Sequence, residues 1–480
     1  MRTPLFAVTA LLALSTPSLA QSTQPDAPAD PRLKRTDDRV ISITPAPADG
    51  IGTLDPFAFT ITLSETTRGD GGALYMTAFS IGQLPHYDTE AGKQRSDENN
   101  ALQEMTPATL DQAMAERQLD FGEDRLKLAA VAARRATCTW GFSWREQGFE
   151  ALLPSLNEAR MTANLLSFRA KLHAARGQWD AWADDVRIMA KMGNDVGNHA
   201  EPVLVEGLVG IGINALALRQ VEEAHEVAGM PNAYWPLATM PLDFDFARLM
   251  QVERAAVFAS FPELSDPDRF TADDFAAYQR RLAYYKNYEE SGRTLVDAAK
   301  ATLAGMMLQP AAKTYLVDRG HFTAEEIEAM GPWPAVAHYL IESYDDAWRD
   351  VAKHATLPPP GALERLSRDE EFLAESETID GTLVAVVFPA IGRAYEAPYR
   401  LERTRRLLMI VEALRDHAAK TGGLPASLDE VELHVPLDPF TDAPFGYRVD
   451  RTTAILTAEP YRPADPERTG FDWYIDLRAE

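Results

Sequence analysis

His338, Glu342, Asp346, Asp350 and His354 recur at four-residue steps within one helical stretch, from about Ala335 to Ala355. On an α-helix that spacing places all five along one gently drifting face. Imidazoles and carboxylates in such a line are the ligand types of a transition-metal site or of a proton-exchanging pair. The opposite face carries Val336, Leu340, Tyr344, Ala347 and Val351. A helix with one apolar stripe turns its polar line to water, and a solvated amphipathic face is the reading preferred for this pattern. Glu222 and His225 form one E-x-x-H pair on another helix, whereas a di-metal bundle needs two such pairs plus two further Glu.

Motifs that usually announce catalysis are missing: there is no H-E-x-x-H, no G-x-S-x-G, no P-loop and no CxxC. Gly210-Ile211-Gly212-Ile213-Asn214-Ala215 approaches a dinucleotide fingerprint, but that motif must follow a strand and Glu201 to Val227 is helical in character throughout. Gly207, Gly210 and Ala215 are therefore read as small residues that admit a neighbouring helix. Cys138, the single cysteine, has Ala136, Thr137, Thr139 and Trp140 as neighbours and no partner histidine. It reads as a buried, inert thiol. No cofactor is expected.

The elements that must position these residues are mostly helical from about Leu110 to His354. Leu152, Leu156, Ala159, Ala163, Leu166, Ala170 and His173 fall at helical spacing, and Gly177 breaks the run. A second stripe follows at Trp179, Trp182, Val186 and Met189, with Gly193 as its expected end. The two stripes predict an antiparallel helical hairpin. Trp179, Trp182, Tyr234 and Trp235 are its candidate core or partner-groove aromatics. His86 to Asn100 is polar and reads as a loop.

Leu357-Pro358-Pro359-Pro360-Gly361 and the acidic run Asp369 to Glu377 mark a boundary, because Pro-rich sequence cannot continue a helix. Beyond it lie the apolar stretch Leu383 to Ile391 and an amphipathic helix from about Tyr399 to Lys420. Ser427 and Glu430 have capping-box spacing, and Phe445 to Val449 with Ala454 to Ala458 reads as a hairpin. The expected fold is mainly α: an antiparallel helical-hairpin array over residues 51–360, and a small α+β module over residues 361–480 packed on it. Residues 21–50, rich in Pro, Asp, Ala and Ser, read as a disordered leader.

Ala170, Gly177 and Trp179, with Trp182 and Met189, resemble the small, turn and aromatic positions of a tetratricopeptide-like hairpin, a family that stacks helix pairs around a peptide-binding surface. Cys138-Thr139-Trp140, Leu152-Leu153-Pro154, the hairpin and Tyr234-Trp235-Pro236-Leu237 together resemble a group of exported, functionally uncharacterised bacterial helical proteins. Leu383 to Ala390 with Arg393 and Arg400 resemble the second half of the stalk helix of type II secretion pseudopilins. Gly423-Leu424-Pro425, Leu428, Pro436-Leu437-Asp438-Pro439-Phe440 and Pro444-Phe445-Gly446-Tyr447-Arg448 resemble the globular part of that family. The likeness implies an α+β fold. It departs from the family in position, because hundreds of residues precede the helix, and Ser376 to Asp380 replaces the apolar first half of the stalk.

Arg2, the apolar run Leu5 to Leu14 and Ser18-Leu19-Ala20 have the order of a cleaved secretory signal over residues 1–20, so a soluble periplasmic or extracellular product is expected. The 47 basic and 72 acidic side chains give a net charge of −25. Such a field repels phosphate backbones and anionic lipids, which disfavours nucleic acid and membrane surfaces as partners. The reading is an exported, non-enzymatic helical scaffold that binds another exported protein or peptide. The alternatives are an exported metal-dependent enzyme using the His338 to His354 face and a secretion-apparatus accessory. Intact-mass analysis of the exported product should give a chain starting at Gln21, and retention of the first twenty residues would refute the signal.

Overall fold

Pro and Gly punctuation cuts a chain of helix-forming composition into helices of very different length, and strands form where β-branched and aromatic residues alternate with polar ones. The computed structural model describes residues 30–50, 52–81, 89–141, 148, 153–242, 244–286, 298–375, 391–462 and 465–478. The fold is mainly α with a small α+β part at the C-terminal end. In chain order the first elements are β1 (Arg39–Ile43), β2 (Thr67–Asp70), α1 (Gly72–Ser80), α2 (Glu90–Glu104), α3 (Gln112–Ala133) and β3 (Arg135–Thr137). The central helices are α4 (Leu153–Ala175), α5 (Trp179–Gly197), α6 (Leu204–Ala224), α7 (Tyr234–Thr239) and α8 (Phe246–Ser260). There follow α9 (Ala272–Lys286), α10 (Ala298–Asp318), α11 (Ala324–Ala329), α12 (Pro332–His354) and α13 (Pro359–Glu375). The chain ends with α14 (Ile391–Thr421), β4 (Gly446–Asp450), β5 (Thr453–Ala458), α15 (Pro466–Thr469) and β6 (Phe471–Leu477).

The expected hairpin is α4 and α5. Gly177, with φ of +66°, ends α4 in a left-handed cap, where Gln178 N donates to His173 O at 2.9 Å and Gly177 N to Ala174 O at 2.9 Å. Gly193 does not end the second helix, which runs on to Gly197. Its role is contact with α6: a Cβ on Gly193 would stand 2.8 Å from Gly210 O, and one on Gly197 would stand 3.2 Å from Gly207 Cα. Gly207 and Gly210 thus serve helix packing, as their helical context implies. α6 is long and apolar enough to cross a bilayer, yet 78% of its apolar window is buried inside the protein. It lies against α4, α5, α8 and α14 and is the spine of the core.

One segment differs from expectation in the N-terminal third. Of the expected loop His86 to Asn100, residues 86–88 lie outside the described residues and Glu90 to Asn100 is helical: α2 starts at Glu90 with Thr89 as its cap, accepting from Gly92 N at 3.0 Å. At the other end of α2 the buried Lys171 ammonium donates to Leu102 O and Gln103 O, both at 3.2 Å, which satisfies carbonyls that would otherwise lack donors. Polar composition hid a helix whose ends are held from outside. Cys138 is half-buried, and burial raises its thiol pKa far above the usual range, as an inert thiol requires.

At the C-terminal end, α14 buries Leu401, Leu407, Leu408, Val411, Leu414 and Ala418, and packs on α6 and α7. The sheet has the order β1-β6-β5-β4: β4 and β5 form the expected hairpin, and β6 adds antiparallel to β5. β1 pairs in parallel with β6, Ile41 opposite Ile475. The disordered-leader expectation is therefore corrected over residues 39–43, where Ile41 and Ile43 supply an apolar face that the surrounding Pro and Asp residues obscured. Ser427 makes no side-chain cap, and Glu430 accepts from Ala426 N at 2.9 Å, closing only a 3-10 turn. The signal at residues 1–20 and the apolar stretch 383–390 lie outside the described residues, while Ile391 opens α14 and is buried. The Pro-rich boundary separates α12 from α13, but both flank the same buried apolar cluster, which extends from Ile41 through α6 to Ile475.

Gly210 and Gly212 sit two residues apart in α6, and only Gly210 meets another backbone; around Gly212 there is open space. Gly210→Ala should therefore lower unfolding free energy by about 1–3 kcal/mol through overpacking. Gly212→Ala should raise it by about 1 kcal/mol through helix propensity. Urea unfolding of both variants checks this, and equal effects would show that the α5–α6 approach is misassigned.

Candidate functional site

The α12 polar line does not assemble into a metal centre. A rise of 1.5 Å per residue spreads it over about 24 Å, and its members engage separate partners. His338 Nε2 lies 3.0 Å from Asp268 Oδ1. His321, from the turn before α11, inserts between Glu342 and Asp346, with Nδ1 3.3 Å from Glu342 Oε2 and Nε2 2.8 Å from Asp346 Oδ2. Asp346 also accepts from Tyr315 at 2.8 Å, and Asp350 accepts from Lys353 at 2.8 Å. His354, at the C-terminal end of the line, is also bonded. Among the described residues no group of three His, Cys, Asp or Glu could hold a metal ion. The face is thus not simply solvated, as expected from its periodicity: its middle is tied to the α10–α11 turn.

The four candidate aromatics divide. Trp182 is fully buried, edge-on to Phe59 at 5.5 Å and to Trp179 at 5.8 Å. Tyr234 is buried and donates to His434 O at 2.7 Å. Trp235 is 37% exposed, and its indole N–H donates to Asp49 Oδ1 at 3.3 Å. These side chains pin α5 and α7 to neighbouring segments. They do not converge on one groove.

The E-x-x-H pair is also split. Glu222 faces Arg39 at 3.4 Å, while His225 Nε2 lies 2.8 Å from Glu412 Oε1. Glu412, in α14, is wholly buried and accepts from Arg415 at 2.8 Å and from Ala233 N at 3.1 Å. Burial pushes its pKa up, but the Arg415 charge, His225 and the Ala233 N–H outweigh that effect and leave it below the usual carboxylate value. A second buried acid behaves in the opposite way. Glu253 accepts from Leu204 N at the start of α6, 2.8 Å away, and has Glu206 as a charged neighbour. Burial pushes Glu253 up to about 7.

A crevice of about 110 Å³ opens between α6, α14 and β6. Ile211, Ala215 and Leu218 of α6, Ala397 and Leu401 of α14, and Phe471 and Trp473 of β6 give it apolar walls. Its polar lining contains four guanidiniums, Arg219, Arg400, Arg403 and Arg468, against two carboxylates, Asp37 and Glu222. Arg403 is structural: it donates to Asp438 at 3.0 Å and to Thr469 O at 2.8 Å, and lies over the rings of Phe440, Tyr461 and Phe471. Asp438 also accepts from Phe440 N at 3.0 Å, so the Pro436 to Phe440 turn bonds its own backbone as its sequence implies. Arg219 is held by Glu223 at 2.7 Å. Arg400 donates to Tyr461 at 3.1 Å, and Arg468 is exposed with no side-chain partner among the described residues.

Such walls can bind an apolar group carrying a negative charge. Periodicity could not reveal this site, because its lining comes from segments separated by up to several hundred residues. The signal available in the sequence was the clustering of Arg393, Arg400, Arg403, Arg405 and Arg406 in a strongly acidic chain. Comparison of the chain with protein-family models, with curated proteins and with solved structures found no match.

The Glu253 shift has a definite sign. Its folded pKa, about 7, lies above the ordinary value of 4.5, so folding binds a proton between those limits. Stability from this group is complete below pH 4.5 and is lost as pH rises through 7. Glu253→Gln keeps an acceptor for Leu204 N and removes that loss, and should stabilise the protein by about 3 kcal/mol at pH 8 with little change near pH 4.5. Denaturant unfolding at both pH values checks this; a variant no more stable at pH 8 would show that Glu253 ionises without cost.

Proposed function

We propose that this protein is an exported, non-enzymatic scaffold that receives a segment of another exported protein or peptide in the crevice between α6, α14 and β6. The observation that carries this reading is the crevice itself: apolar walls from three elements and guanidiniums at its edge. The helical part supplies one wall through α6. The C-terminal α+β part supplies the other through α14 and β6. In this reading α14 does not join a polymer, since its apolar face is already engaged with α6 and α7.

Glu342 and Asp346 of α12 hold His321 of the α10–α11 turn, away from the crevice lining. Recognition requires no moving element, because the walls belong to long secondary structures that hold the lining in place.

Amide hydrogen exchange on the full-length protein tests the reading, using a panel of peptides that vary in terminal group and apolar content. Binding should slow exchange in residues 211–222 and 397–404, and Ala215→Trp, which fills the crevice, should abolish the effect. Protection elsewhere, or none with any peptide, would overturn the assignment.

A further inference from the structure

We infer that the crevice recognises the C-terminal carboxylate of its partner chain, with the last side chain of that partner apolar. The inference rests on the binding reading above and specifies its ligand chemistry.

Size limits the occupant first. Sites that enclose a whole drug-sized ligand run to roughly 300–1,000 Å³, and this crevice holds about 110 Å³. It fits one end group: a single apolar side chain against Leu218, Leu401, Phe471 and Trp473, with its terminal charge at the rim.

Charge decides which end of a chain is accepted. The carboxylates of the lining are opposed by cations of this protein: Glu222 faces Arg39 at 3.4 Å, and Asp37 interacts with Arg400. Glu223, Glu396 and Asp438, just behind the lining, are likewise bonded to Arg219, Arg462 and Arg403. Two guanidiniums keep donors for a ligand. Arg400 uses Nε on Tyr461 and directs Nη2 towards Glu396 at 3.6 Å, beyond hydrogen-bond length. Arg468, at the rim, has no side-chain partner among the described residues. A carboxylate at the rim would accept charge-assisted hydrogen bonds from both. A protonated amine would face them unfavourably.

Calorimetric titration of the full-length protein with three probes separates the outcomes. They are an N-acetylated pentapeptide ending in phenylalanine with a free carboxylate, the same peptide as its C-terminal amide, and 3-phenylpropionate. The free-acid peptide should bind about tenfold tighter than the amide, as one good charged contact implies. Arg468→Gln, on an exposed side chain that should not affect folding, should weaken the free acid about fivefold to tenfold and leave the amide unchanged. Equal binding of acid and amide would overturn this inference while leaving the crevice as a peptide site. Tighter binding of 3-phenylpropionate than of the peptide would identify a small free acid as the ligand and overturn the chain-terminus assignment. Absence of binding by all three, with no exchange protection in residues 211–222, would overturn both readings.

Discussion

Glu412 carries a negative charge in a place that water does not reach, and the surrounding structure is arranged to compensate it. Arg415, one turn along the same helix, and His225, at the end of α6, meet its oxygens, while Ala233 N closes the remaining side. Arg415 in turn donates to Thr44 O and Met230 O, and Asn232 donates to Ala46 O and Glu412 O. A buried charge that loses one partner is strongly destabilising, so these segments must be in place together. The requirement fixes α14 against α6, α7 and the N-terminal segment 44–48 at once. Arg403 with Asp438 does the same between α14 and the turn before β4. The crevice lies beside the part of α14 that these two anchors hold, which accounts for its definite shape.

The helical hairpin was legible because its apolar residues recur with the helix period and its turn needs a glycine. The packing glycines of α6 were legible for a related reason: a strand-dependent motif cannot function inside a helix. β1 was not, since five residues amid Pro and Asp carry too little apolar signal until their partner strand is known. α2 was hidden because its ends are held by Thr89 and by Lys171, a residue far away in sequence. The same limit applied to the site. The α12 line is periodic, hence visible, but its members turn to His321, Tyr315 and Asp268. The crevice is aperiodic, assembled from α6, α14 and β6, and only its arginine cluster left a mark in the sequence.

The anionic chain terminus proposed above and a chain of net charge −25 make an unusual pair. At a distance the protein repels such a ligand, so electrostatic steering does not speed its arrival. Near the rim the balance reverses, because salt screens remote charges over about 8–10 Å while Arg400 and Arg468 act at contact. Discrimination in this arrangement resides in the bound complex and its lifetime. A high general charge also discourages adventitious polyanions, which a small cationic recess on a neutral protein would attract.

Parallel pairing of β1 with β6 joins segments more than four hundred residues apart, Arg39 opposite Trp473, and Asp38 accepts from Asp472 N at 2.8 Å. β1 therefore keeps its apolar face and its backbone donors unmatched until β6, more than four hundred residues later, is in place. Closing so large a loop costs entropy before any contact compensates it. Within the sheet, β4, β5 and β6 pair between neighbouring segments, and only the β1–β6 pairing carries that cost. The crevice proposed above as a binding site is therefore complete only once β6 has joined the sheet.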